Sequence, residues 1–139
     1  MSDNPHSPLQ TQDQFTNEEK RAKYLEGGIG TNLDKLRSIS RFIGRQEFAK
    51  ILAYKKLFME TSGLAGSIVE CGVYYGGGLM TYANLSAALE PYNYQCKILG
   101  FDTFNGNESI SELDLKYETV DFKKHTYDVD SYDDLIHCI

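Results

Sequence analysis

Ile68-Val69-Glu70-Cys71-Gly72-Val73-Tyr74-Tyr75-Gly76-Gly77-Gly78 is the stretch on which the fold turns. The β-branched run from Ile68 to Val73 is too short for a helix and is bounded by glycine on both sides, which predicts a buried strand. Gly76, Gly77 and Gly78 then turn the chain into Leu79 to Leu89, rich in Leu, Met and Ala and closed by Pro91. That composition predicts a helix whose small residues, Ala83, Ser86 and Ala87, allow close packing on a sheet. A second strand, Ile98-Leu99-Gly100-Phe101, ends at Asp102. Strand, glycine turn, helix and strand make a βαβ unit, whose crossover is expected to be right-handed. The glycine turn and Asp102 then share the carboxyl edge of a parallel sheet, where such folds bind ligands.

Working outward, Thr31 and Asp34 form an expected capping box that opens an amphipathic helical segment over residues 31–63. Leu33, Leu36, Ile39 and Ile43 recur at helical steps. Gly44 interrupts, and Phe48, Ile51, Leu52, Phe58 and Met59 continue the stripe to Gly63, a residue suited to a left-handed C-terminal cap. Residues 1–30, with Pro5, Pro8 and the Gly27 to Gly30 run, read as a flexible lead-in. Beyond Gly106 the pattern weakens: Lys116 to Phe122 reads as strand or extended loop, and Ser131 to Cys138 as a helix start capped by Ser131. The fold class is therefore α/β: a partial doubly wound, Rossmann-like parallel sheet over residues 64–139, preceded by amphipathic helices.

Length and composition narrow the possibilities. The chain has 139 residues, 41% of them apolar and 24% charged, enough for one folded core. Residues 1–100 carry 11 basic and 10 acidic side chains, a net of +1, whereas residues 101–139 carry 3 and 10, a net of −7. With no basic stripe, nucleic acid is not an expected partner. No apolar run approaches the ~20 residues a bilayer requires, and the start lacks the basic and apolar regions of a signal peptide, so the expectation is a cytoplasmic protein without a membrane partner. Cys71, Cys96 and Cys138 form no C-x-x-C pair and read as free thiols.

The glycine turn narrows the chemistry. A glycine directly after a strand permits positive φ and lets the backbone approach a ligand, and the N–H groups opening the next helix can hold an anion. Gly72 and Gly77 have P-loop spacing, but Gly78 and Leu79 stand where Lys and Ser or Thr are needed, which argues against phosphoryl transfer. In a dinucleotide fingerprint Tyr74 would take the place of the middle glycine and crowd a pyrophosphate, leaving NAD as a weakened alternative. S-adenosylmethionine needs backbone donors near its carboxylate, an acid for its ammonium or near the turn, and an acid at the next strand end for its ribose diol. Glu70, Gly72, Gly76 and Asp102 supply that set.

These residues also carry a resemblance. Gly66 to Met80, Leu85-Ser-Ala-Ala-Leu-Glu-Pro91 and Ile98-Leu-Gly-Phe-Asp-Thr-Phe-Asn-Gly106 together resemble the macrocin O-methyltransferase (TylF) family, which is dependent on S-adenosylmethionine. The resemblance implies a seven-stranded doubly wound fold, methyl transfer to a small-molecule hydroxyl, often on a sugar, and a divalent metal held by acidic residues. It implies Glu70, Gly72 and Gly76 in the cofactor turn, with Asp102 in the loop after the second strand facing the adenosine half; Tyr74, Gly77 and Thr103, beside them, are further cofactor-binding candidates. Asn105-Gly106-Asn107-Glu108 departs from the family's usual Glu-Gly continuation. The family's metal ligands and catalytic base lie in later strands, so the chain reads as the amino-terminal, cofactor-binding portion, with no metal ligand of its own. The resemblance puts the first strand mid-sheet, so its exposed edge is expected to self-associate or recruit another chain.

Other readings of the same residues compete. Asp102 could cap its own loop, and Glu70 could sit in a structural salt bridge. Tyr74 and Tyr75 could line the pocket or pack under the turn. Cys71 is expected in the core, His125, His137 and Cys138 are not expected to bind metal, and the acidic run from Asp128 to Asp134 is expected to be a solvated loop and helix start. A non-catalytic nucleotide-ligand binding or assembly module built on the βαβ unit is the alternative to an enzyme.

Overall fold

The structure, a computed structural model, describes residues 12–106 and 129–138. It divides into two units, Met1–Lys50 and Ile51–Ile139. In the first, helix α1 covers Gln12–Gly27. This corrects the flexible lead-in: between Gln12 and Glu26 there is neither Gly nor Pro. Glu18, Glu19, Lys20, Arg21, Ala22 and Lys23 all favour helix, with Glu19 and Lys23 spaced as an i,i+4 pair. The Pro and Gly clusters flank this helix.

Helix α2, Asn32–Arg37, opens on the expected capping box: the Asp34 N–H donates to the Thr31 hydroxyl at 3.2 Å, and the Thr31 N–H donates to the Asp34 carboxylate at 3.0 Å. A 3-10 turn, Ile39–Arg41, follows. Phe42 is the buried centre of this unit, its ring 5.3 Å from that of Tyr24 and covered by the Arg41 guanidinium at 5.0 Å. Arg21 pairs with Glu47 at 3.0 Å, and Glu47 also accepts the Gly44 N–H. Much of the expected apolar stripe stays in solvent here, with Leu33, Leu36 and Ile39 all exposed.

Helix α3, Arg45–Thr61, spans the division and is followed by Gly63 at φ +81°. In the second unit, strands β1 (Ile68–Cys71) and β2 (Ile98–Phe101) pair in parallel, in the register Ile68↔Ile98 and Cys71↔Phe101. Helix α4, Gly77–Leu89, connects them and packs on both. The βαβ unit is therefore present as expected. Ile68 and Glu70 sit on the covered face. Val69, Cys71, Leu99 and Phe101 sit on the opposite, exposed face, which corrects the expectation that the strand and Cys71 are buried. Strand residues alternate between faces, and among the described residues the helix packed on the pair, α4, covers the first face. A short helix, α5, covers Tyr132–Ile136. No described helix is long and apolar enough to cross a membrane. Lys116 to Phe122, His125 and Asp128 lie outside the described residues.

Candidate functional site

At the carboxyl ends of β1 and β2 the chain leaves the sheet by two loops, and between them lies an open cleft of about 740 Å³. Gly72, Tyr74, Gly100, Phe101, Asp102, Thr103, Phe104 and Gly106 line it. The Gly72 N–H still donates to the Phe101 carbonyl at 2.8 Å, the last rung of the strand pair, after which the backbone swings to φ +89°. A side chain attached at Gly72 would meet no atom within 4 Å. The space beside this glycine is open, the condition for close approach of a ligand to the backbone.

Asp102 joins the two loops. Its Oδ2 accepts the N–H groups of Val73 at 2.6 Å and Tyr74 at 2.9 Å, and its Oδ1 accepts that of Phe104 at 2.8 Å. The Tyr74 and Phe104 N–H groups hold the carboxyl below its ordinary pKa of 3.8; burial opposes them, and the Val73 and Thr103 N–H groups add lesser contributions. Tyr74 and Phe104 are also the two non-glycine residues of the described chain at positive φ, +53° and +54°. Bulky aromatic residues rarely adopt that conformation, and one carboxylate grips the N–H of both. Capping of the loop, one of the two readings of Asp102, is thus present. The carboxylate has about four lone-pair directions, so Oδ1 retains capacity for a further donor. Thr103 donates its hydroxyl to the Gly106 carbonyl at 3.0 Å and closes the second loop.

Glu70 lies elsewhere. It is outside the cleft lining, on the α4 face, and a Cβ on Gly78 would come within 2.9 Å of its Cδ and 3.0 Å of the Tyr54 hydroxyl. Its Oε2 is buried with no hydrogen-bond partner. Burial raises its pKa above 4.5, opposed by a hydrogen bond from the Leu79 backbone. The salt bridge considered for it is not formed among the described residues. Gly78 is the glycine that this carboxyl requires, since any side chain there would collide with it. An acid with a raised folded pKa favours the fold most below the unfolded value and loses that contribution as pH rises through the folded one. Glu70→Gln should therefore raise the melting temperature at pH 7 and flatten its rise as pH falls from 7 toward 4.5. Thermal unfolding across that range measures both, and an unchanged slope would remove Glu70 from the account.

Gly76 and Gly77 also stand outside the cleft lining. Gly76 is buried at φ +79° as the residue before α4, and a Cβ there would lie 2.2 Å from Leu135 Cδ2. Tyr75 is exposed and meets the Tyr74 ring edge-on at 4.4 Å. Of the turn residues singled out from sequence, Gly72, Tyr74, Asp102 and Thr103 thus meet at the cleft, while Glu70 and Gly76 shape the turn from behind. Sequence reasoning missed Phe104, although it stands in the quoted Phe-Asp-Thr-Phe run, and it missed the reach of Ser131. That serine makes no helix cap: its hydroxyl donates to the Tyr74 carbonyl. Among the described residues no group of three or more His, Cys, Asp or Glu is placed to hold a metal ion.

No family model matches this sequence, and no curated protein matches it. Among solved structures, the chain is similar to the calicheamicin methyltransferase CalS11, with a TM-score of 0.80 and 23% identity over 93% of this chain and 49% of that one. It is also similar to the apo structure of CalS11, described as a TDP-rhamnose 3'-O-methyltransferase of calicheamicin biosynthesis, with a TM-score of 0.68 and 25% identity over 79% of this chain and 47% of that one. The chain spans about half the length of the solved structures it matches. Its parallel β1–β2 pair, with the glycine turn and connecting helix between them, has a Rossmann-like fold shared with the matched part of that structure.

Proposed function

We propose that this chain carries the S-adenosylmethionine-binding half of an O-methyltransferase that acts on a small-molecule hydroxyl, of sugar type, in the manner of the macrocin O-methyltransferase (TylF) family. The observation that carries the reading is the cleft at the carboxyl ends of β1 and β2, open beside Gly72 and bounded by Asp102. The likeness to CalS11, a TDP-rhamnose 3'-O-methyltransferase, supports it. Bound S-adenosylmethionine supplies a methyl group activated by a sulfonium centre. The residues of this chain fit such a ligand: Gly72 gives its backbone room, Oδ1 of Asp102 has capacity to accept from a ribose hydroxyl, and Tyr74 and Phe104 border the cleft with aromatic surface. Their contribution is binding and orientation, and holding reactants in line can supply ~7–11 kcal/mol in favourable cases. The general base and any metal ligands are assigned to portions of the fold that the described residues do not include. In this reading further strands or a second chain would pair at the open edge of the two-stranded sheet, and helices would cover its uncovered face, where Val69 and Phe101 are exposed.

Isothermal titration of the chain with S-adenosylmethionine, S-adenosylhomocysteine and NAD tests the cofactor. The two sulfur ligands should bind and NAD should not, because the Tyr74 side chain stands where a pyrophosphate needs a glycine. Tighter binding of NAD would overturn the assignment and favour the nucleotide-binding alternative.

A further inference from the structure

Ser131 is remote in sequence from every motif of the cleft, yet its hydroxyl reaches the glycine turn. The side chain is 5% exposed and donates to the Tyr74 carbonyl at 2.5 Å. The Tyr74 N–H is already given to Asp102 at 2.9 Å. The peptide groups before and after the Tyr74 Cα are thus each tied to a different part of the chain, and together the two bonds fix the torsions on either side of that atom. They fix it in the left-handed region, at φ +53°, which an aromatic residue leaves readily when nothing holds it.

The neighbours of Ser131 engage the same loops. Leu135 is 8% exposed and fills the space that Gly76 leaves by lacking a side chain. The Tyr132 ring meets that of Phe104 edge-on at 5.3 Å, so the residue opposite Tyr74 is contacted by the same short segment. We propose that Ser131 is a positioning residue of the cleft: its hydroxyl makes no helix-capping bond and instead holds the Tyr74 carbonyl, keeping Tyr74 in the left-handed conformation that makes it a wall of the ligand site. This rests on the reading of the cleft as the cofactor site, and the experiment separates the two.

Ser131→Ala is compared with the unaltered chain in two measurements. The first is amide hydrogen exchange by NMR, which needs no ligand. Exchange at the Tyr74 N–H should rise roughly tenfold, the loss of about one buried hydrogen bond, while the Gly72 N–H in the strand pair stays within about twofold. The second is affinity for S-adenosylhomocysteine, which should fall by about the same tenfold factor. In a Tyr74→Gly background, where left-handed backbone needs no restraint, adding Ser131→Ala should change Tyr74-site exchange by less than about twofold. Ser131→Cys, which keeps the size and a weak donor, should fall between and guards against a packing defect in the alanine variant. Equal acceleration at the position-74 and position-72 amides would mean that Ser131 acts on global stability alone and would overturn the proposal, as would no acceleration at either. If the unaltered chain binds none of the sulfur ligand, the cofactor reading fails, and the exchange comparison still decides the role of Ser131.

Discussion

Gly72→Val should abolish binding of S-adenosylhomocysteine, lowering affinity by more than about a hundredfold, in a chain that still folds. Two separate effects act at this position. Gly72 has φ +89°, and a β-branched side chain in that region carries strain of about 1–3 kcal/mol, which appears as lost stability. The valine side chain would also project into open space, with no atom of the protein within 4 Å of its Cβ, so packing does not prevent the substitution. The volume it takes is the volume beside the backbone that a ligand in this cleft has to use. Gly63→Val separates the two effects: Gly63 has φ +81°, equally open surroundings and no part in the cleft lining. It should lose comparable stability and keep full affinity. Calorimetry on both variants measures this, and equal affinities in the two would show that Gly72 is only a structural turn.

The βαβ unit was legible because each of its signals is local. A β-branched run bounded by glycine at Ile68, the apolar Ile98 to Phe101 run ending at Asp102, a Leu- and Ala-rich segment closed by Pro91, and the Thr31 to Asp34 box all act within a few residues, and each forms as its composition dictates. Asp102 was legible by position, since a strand end beside a glycine turn brings a carboxylate to the site edge. Its grip on Val73, Tyr74 and Phe104 was not, because backbone N–H groups carry no sequence signature. Glu70 was read toward the cleft, but strand alternation puts it with Ile68 on the α4 face. Ser131 and Leu135 were read from their own neighbourhood as a cap and a helix start, whereas their partners lie more than fifty residues earlier. Side chains that pack against a distant turn leave no periodicity to read. Helix α1 was missed for the opposite reason, since its flanking Pro and Gly clusters drew more weight than the helix formers between them.

Asp102→Ala should be the most damaging substitution for the architecture of the cleft. The carboxylate accepts three backbone N–H groups and holds the two aromatic residues at positive φ, so its removal leaves three donors to find water and two strained conformations with no restraint. Charge-assisted bonds of this type contribute about 1.5–3 kcal/mol each, but the donors are partly solvated and Tyr74 and Phe104 relax when released, so a net loss of about 2 kcal/mol is expected. Asp102→Asn should recover little of it, because an amide turns one oxygen into a donor that faces an N–H group. The same contacts set a pH dependence of definite sign. A carboxyl held below its ordinary value of 3.8 contributes fully above that value and loses its contribution as pH falls through the lower, folded pKa. Above its ordinary value the effect of Asp102 is constant, whereas that of Glu70, whose pKa is raised, has the opposite sign. Below about pH 4, in the ordinary carboxylate range, the unaltered chain should lose stability faster than Asp102→Ala, and the two melting curves should converge. Parallel curves through that range would show that the Asp102 carboxylate is not what joins the turn after β1 to the loop after β2.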